Sequence, residues 1–188
     1  MILIAAVCLA SSAVFGQATQ PDNNAYKLQS GAYSVSVKDP AQPTDSFLCS
    51  LYYEIIDRNA FIVLFTQDSI GKRILLKDNS RIVFTLQDGS AVTTMAPATE
   101  NTEHRKGQTF LGISGKHPPI NYDYYVYTFH FTLGTRLLGT LSRTAIKSGR
   151  LYITESQYLD IRGIPSDRME GSAANLLVEY NKHFGMGN

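Results

Sequence analysis

The chain predicts an α+β fold, a mostly antiparallel β-sheet with two or three short helices in its C-terminal third. An all-β sandwich is the alternative. Three observations lead there. Several segments before Leu133 alternate apolar and polar residues with the period of a half-buried strand. Asp88-Gly89 stands between two such segments, and a tight hairpin turn needs a residue that accepts positive φ at little cost. From Arg136 onward apolar residues also recur at helical spacing. Strands first and helices last is the order of an α+β domain.

Taken in order, Ala32–Lys38 sets Tyr33, Val35 and Val37 against small polar residues, and Asp39-Pro40 ends it. Phe47–Ile56 places Phe47, Cys49, Leu51, Tyr53 and Ile55 on one face. Asp57-Arg58-Asn59 then breaks the pattern at hairpin length. Ala60–Gln67 is apolar almost throughout, which predicts a central strand covered on both faces. After a turn at Asp68–Gly71, Lys72–Leu76 predicts a short strand. Arg81–Gln87 and Ser90–Met95 form the hairpin around Asp88-Gly89. Pro97–Gln108 is polar and predicts an exposed loop, followed by a short strand at Thr109–Ile113. Pro118-Pro119 cannot sit inside a ladder. Asp123–Leu133 gives the clearest strand, with Tyr125, Tyr127, Phe129 and Phe131 on one face and Tyr124, Val126, Thr128, His130 and Thr132 on the other.

Arg136–Ile146 carries Leu137, Leu138, Leu141 and Ala145 at helical spacing, although Gly139 weakens it by about 1 kcal/mol relative to Ala. Arg150–Thr154 returns to strand. Thr154-Glu155-Ser156-Gln157 has the spacing of a capping box and predicts a helix over Glu155–Arg162, stopped by Gly163 and Pro165. A last helix spans Ala173–Phe184, with Ala173, Leu176, Leu177, Tyr180 and Phe184 on one stripe. Ser172 is its expected cap, and Gly185 closes it.

Residues 1–20 read as a signal peptide, 21–31 as a linker and 32–188 as one globular domain. Ile2–Phe15 is an apolar run broken only by Ser11 and Ser12, and the first charge in the chain is Asp22. A run of roughly 14 residues is short for a bilayer span but suits the core of a secretory leader. The small residues near Gly16 and Ala18 place cleavage between 16 and 20. Met1 is followed directly by apolar residues, without the basic segment that usually opens such a leader. A buried N-terminal element is therefore the competing reading. Cys8 lies inside the apolar run, where no lipobox ends, so lipid anchoring is not expected. Cleavage would leave Cys49 alone, a small buried hydrophobe rather than a disulfide partner or nucleophile.

The 188 residues are 44% hydrophobic and 18% charged, with 17 Lys plus Arg against 16 Asp plus Glu. That balance excludes a disordered chain and gives no footprint for nucleic acid. No integral membrane span is expected. His104, His117, His130 and His183 are too far apart in sequence for a local metal pair, so no metal or cofactor is expected. Gly112-Ile113-Ser114-Gly115 is one residue short of a nucleophile elbow, and Gly115-Lys116 lacks the rest of a phosphate loop. The candidate ligand-binding residues are Tyr122 and Tyr124, beside the Pro-Pro segment, with His117 and His130. Aromatic rings bind sugars, peptides or proteins, and loops carry function disproportionately. His104-Arg105-Lys106 adds a short basic run.

The leader ending Val14-Phe15-Gly16-Gln17, the segment from Asp78 to Gly89 and the strand–helix–strand run from Tyr125 to Thr154 resemble small exported proteins of unknown function from Bacteroidota. That resemblance implies no activity and no site residue. The functional expectation is an exported, periplasmic or secreted binding module of the cell envelope whose partner is an envelope protein or a glycan. Two alternatives stand beside it. One is an envelope hydrolase that pairs His130 or His117 with a distant carboxylate. The other is a structural subunit that adds an exposed strand to an assembly.

Overall fold

The computed structural model describes residues 26–41, 46–68, 76, 79–95, 97–109 and 120–185. The expected leader, the Lys72–Leu76 strand apart from Leu76, and the segment from Phe110 to Pro119, with His117 in it, lie outside the described residues. Among the described residues ten strands and two helices form an α+β fold: β1 (Lys27–Gln29), β2 (Tyr33–Lys38), β3 (Ser46–Ile56), β4 (Asn59–Asp68), β5 (Arg81–Leu86), β6 (Ala91–Thr93), β7 (Pro97–Thr109), β8 (Ile120–Thr132), α1 (Gly134–Leu141), β9 (Ile146–Tyr152), β10 (Tyr158–Arg162) and α2 (Ser166–Phe184). All the strand pairs are antiparallel, in the order β6-β5-β9-β10-β2-β3-β4-β8-β7. β1 joins beside the far end of β3, pairing Leu28 with Ile55, inside the stretch read as linker.

The alternation read in the sequence is the alternation of burial. Val35, Val37, Leu51, Tyr53, Ile55, Ile82, Phe84, Phe129 and Phe131 turn inward into one core. β4 lies between β3 and β8. Ile62 and Leu64 join that core, while Val63 is equally buried on the opposite face. The sheet has its two edge strands next to each other in sequence, because β6 ends at Thr93 and β7 starts at Pro97. Thr94 and Met95, between them, close one end of the sheet. Thr94 N donates to Ile82 O, and Thr94 Oγ1 accepts from Ile82 N at 2.8 Å, extending the neighbour of β5. Met95 N donates to Thr132 O at 2.9 Å, on β8. The sheet therefore curls into a partly closed barrel. α1 packs on β4 and α2, and α2 packs on β3 and β9.

The β5–β6 hairpin turns at Gln87-Asp88-Gly89. Gly89 adopts φ 84, and Asp88 Oδ1 accepts bonds from Ser90 N and Ser90 Oγ. The β3–β4 hairpin turns at Asp57-Arg58. Asp57 takes φ 53, a conformation that Asp tolerates better than most residues, and its Oδ1 accepts from Tyr26 N.

Four expectations are corrected. Pro97–Gln108 is not a loop: Pro97–Thr109 is a 13-residue strand, paired along its length with β8. It has no apolar face to announce it, because an edge strand takes its register from its neighbour's backbone. Glu155–Arg162 is not a helix. Thr154 Oγ1 does accept Gln157 N, at 3.1 Å, as a capping bond would. Ile153 N and Thr154 N also donate to Gln157 O, which closes a hairpin. Leu159 and Ile161 then face inward from β10. The first expected helix, Arg136–Ile146, stops at Leu141, since Ile146 already belongs to β9. The last helix starts at Ser166 and not after Ser172, because Met169 extends the buried stripe of Ala173 and Leu176. Ser172 Oγ meets the Tyr33 hydroxyl at 2.7 Å and ties α2 to β2 instead of capping the helix.

Cys49 is free and buried, and burial pushes its thiol up to about 12, which suppresses the reactive thiolate. In α1, a Cβ on Gly139 would meet only ordinary contacts, Arg143 Nη2 at 3.8 Å and Leu177 Cδ1 at 3.9 Å. Gly139→Ala is therefore expected to stabilise the fold by about 1 kcal/mol, read as a rise of roughly 2–4 °C in melting temperature.

Candidate functional site

Two clusters form around the residues that the sequence singles out. The first is built by β7 and β8. Pairing of β8 with β4 ends at Asp68↔Tyr125, whereas β7 follows β8 for five further pairs, from Arg105↔Tyr124 to Thr109↔Ile120. Among the described residues this stretch is a two-stranded ribbon. One of its faces carries Tyr122, Tyr124, Arg105 and Gly107, and the other carries Tyr125, Asp123, His104 and Lys106, by the strand alternation.

Tyr122 lies opposite Gly107, and that glycine is what seats it. A Cβ at position 107 would lie 2.5 Å from Tyr122 Cζ, so only glycine admits the ring there. The Tyr122 and Tyr124 rings are 5.8 Å apart, and Tyr122 remains 43% exposed. Arg105 beside them sends both Nε and Nη2 to Glu103 Oε2, at 3.0 and 2.6 Å, and that carboxylate with the Tyr124 phenol holds the guanidinium above its ordinary value. On the opposite face His104 contacts Tyr125 at 5.1 Å and reaches Asp123 Oδ1 at 3.4 Å. The result is a surface of rings held in place by cross-strand partners, with charges of both signs around them. Such a surface suits recognition: large rigid rings bury area at low entropic cost, and the polar neighbours supply hydrogen bonds.

The second cluster centres on His130. Its Nε2 lies 2.7 Å from Glu54 Oε2, and Lys27 Nζ lies 2.8 Å from Glu54 Oε1. The three residues come from β8, β3 and β1, and Phe61 of β4 packs edge-on against the His130 ring at 5.8 Å. Glu54 is only 1% exposed. Burial pushes its carboxyl up, but the hydrogen bonds and positive charge of His130 and Lys27 outweigh this and hold it below its ordinary value. An ionised Glu54 only accepts, so His130 Nε2 carries the proton in that bond.

Of the four expected residues, Tyr122 and Tyr124 share the ribbon, His130 joins the buried cluster, and His117 lies outside the described residues. Lys27 and Glu54 were not singled out in the sequence. The available signal was a glutamate inside the apolar strand Leu51–Ile56, a position that needs a buried cation. Among the described residues no three His, Cys, Asp or Glu side chains gather as a metal site would require, and no helix is long and apolar enough to cross a membrane. A shallow depression lined by Pro165, Ser166, Asp167 and Arg168 includes none of the candidate residues. The chain matches no protein-family model, no curated protein and no solved structure.

Proposed function

We propose that the chain is an exported binding module whose contact surface is the β7–β8 ribbon. The observation that carries this is the Tyr122–Tyr124 pair, Tyr122 exposed and seated on Gly107, Tyr124 half-buried beside it, both flanked by Arg105. The partner is an envelope protein or a glycan, either of which would use the rings as its anchor. The apolar run Ile2–Phe15 supports export. N-terminal sequencing of protein from its native host is expected to start between residues 17 and 21, and intact Met1 in the cytoplasm would contradict this.

The binding claim is tested by screening the full chain and a Tyr122→Ala/Tyr124→Ala variant against a glycan array and a displayed peptide library. Ligands that the variant loses, with its melting temperature kept, support the reading. Ligands that both proteins hold equally, or none in either library, overturn it.

The hydrolase reading draws on the 2.7 Å contact between His130 and Glu54. Their burial favours a structural ion cluster, because a reacting group needs access to substrate. Any true hydrolytic turnover would vanish in Glu54→Gln. Strand addition draws less support. The β7 edge exposes Glu103, His104, Arg105 and Lys106, and β6 is three residues long, both devices that discourage pairing.

A further inference from the structure

We propose that the outer face of β5, β9 and β10 binds an anionic glycan through a diagonal of three arginines, Arg81, Arg150 and Arg162. The site is independent of the β7–β8 ribbon. Arg81 pairs with Tyr152, and Arg150 lies two residues along β9 from that tyrosine. Arg150 pairs with Asp160, and Arg162 lies two residues along β10 from that aspartate. Each arginine is therefore one strand across and two residues along from the last. With strands about 4.8 Å apart and about 6.7 Å for two residues, the steps are about 8 Å. The burial pattern puts all three on the face opposite the core, since Ile82, Leu151 and Ile161 between them point inward.

The remaining side chains hold this row in shape. The Arg81 guanidinium lies 4.9 Å from the centre of the Tyr152 ring, and that of Arg150 lies 4.5 Å from the centre of the Tyr158 ring. The two rings are 5.6 Å apart. Asp160 reaches Arg150 Nε with one oxygen and Arg162 Nη2 with the other, both at 3.4 Å, and is 25% exposed. One carboxylate thus orients two guanidinium groups and leaves most of their donors unspent. The row carries three positive charges against one negative charge, and Lys38 of β2, opposite Asp160, adds a further cation on the same face, although the whole chain is only +1.

Charge complementarity selects a partner with repeated anions, which guanidinium forks bind in a bidentate manner. The rings favour a glycan over single-stranded nucleic acid. A base-stacking platform needs open ring faces, and here each tyrosine already holds a guanidinium.

The test is titration of the full chain with a heparin oligosaccharide, with polygalacturonate and with single-stranded oligo(dT), at low and moderate salt. Binding to either glycan that weakens with salt is expected. Arg150→Gln/Arg162→Gln should weaken it about tenfold or more, and Asp160→Asn should tighten it about twofold to fivefold. Arg136→Gln/Lys182→Gln, exposed cations on α1 and α2 outside both surfaces, should leave it unchanged. The proposal is overturned if neither glycan binds at low salt, if oligo(dT) binds more tightly than both, if the helix variant loses as much affinity as the diagonal variant, or if Asp160→Asn fails to tighten binding.

Discussion

Phe129→Ala is expected to destabilise the protein by about 3–5 kcal/mol. Phe129 is fully buried on β8, pairs with Leu64 of β4 and stacks on Tyr127 at 6.2 Å. Truncation loses the transfer energy of the ring and leaves a cavity that the surrounding strands, held by their ladders, close only in part. Domains of this kind hold about 5–15 kcal/mol in total, so the loss removes a large share of it. Tyr125→Ala, on the same stripe but 39% exposed, should cost far less. Urea unfolding followed by circular dichroism reads both values. Equal costs at the two positions would contradict the inward placement of the stripe.

Glu54→Gln is expected to cost about 2 kcal/mol at neutral pH, since it removes charge-assisted hydrogen bonds to His130 and Lys27 in a buried place. The cost stays below that of losing a fully buried ion pair, because the Lys27 side chain is 40% exposed and can rehydrate. The pH dependence has a definite sign. The Glu54 carboxyl is held below its ordinary value of 4.5 in the folded state. Its contribution is complete above the unfolded value and is lost as pH falls through the lower folded one. Stability of the parent chain should therefore drop as pH falls below about 4.5, and the gap between parent and Glu54→Gln should close over the same range. A gap that stays constant down to the acid limit would show that Glu54 is not ionised in the fold.

The strands that line the core were legible because burial leaves a mark at each alternate residue. Val35 and Val37, the odd-numbered residues of β3, and the Tyr127–Phe131 stripe were all read correctly. β7 was not legible. Its residues 103–106 are all polar and exposed, and the backbone of β8 supplies their reason to be extended. β10 was misread because a local signal was genuine but ambiguous. The Thr154–Gln157 bond serves a turn as well as a helix start, and the inward packing of Leu159 and Ile161 decides between them.

The clusters divide in the same way. Tyr122 and Tyr124 were visible as aromatics near a proline turn, but Gly107, which seats Tyr122, lies far away in sequence. Lys27, Glu54 and His130 meet only through pairings that composition does not encode. The arginine diagonal is hidden by a near-zero net charge, because neutrality over the whole chain says nothing about which cations share a face.

The ribbon underlies both the corrected fold and the proposed contact surface, and amide hydrogen exchange on the free protein tests it most directly. If β7 is a preformed strand, alternate amides between Glu103 and Thr109 donate to β8 and should exchange on the order of tenfold or more slower than coil rates, with the intervening amides fast. Uniform coil-like exchange across 103–109 would return the segment to an exposed loop. It would also remove the seat of Tyr122 and, with it, the proposed contact surface.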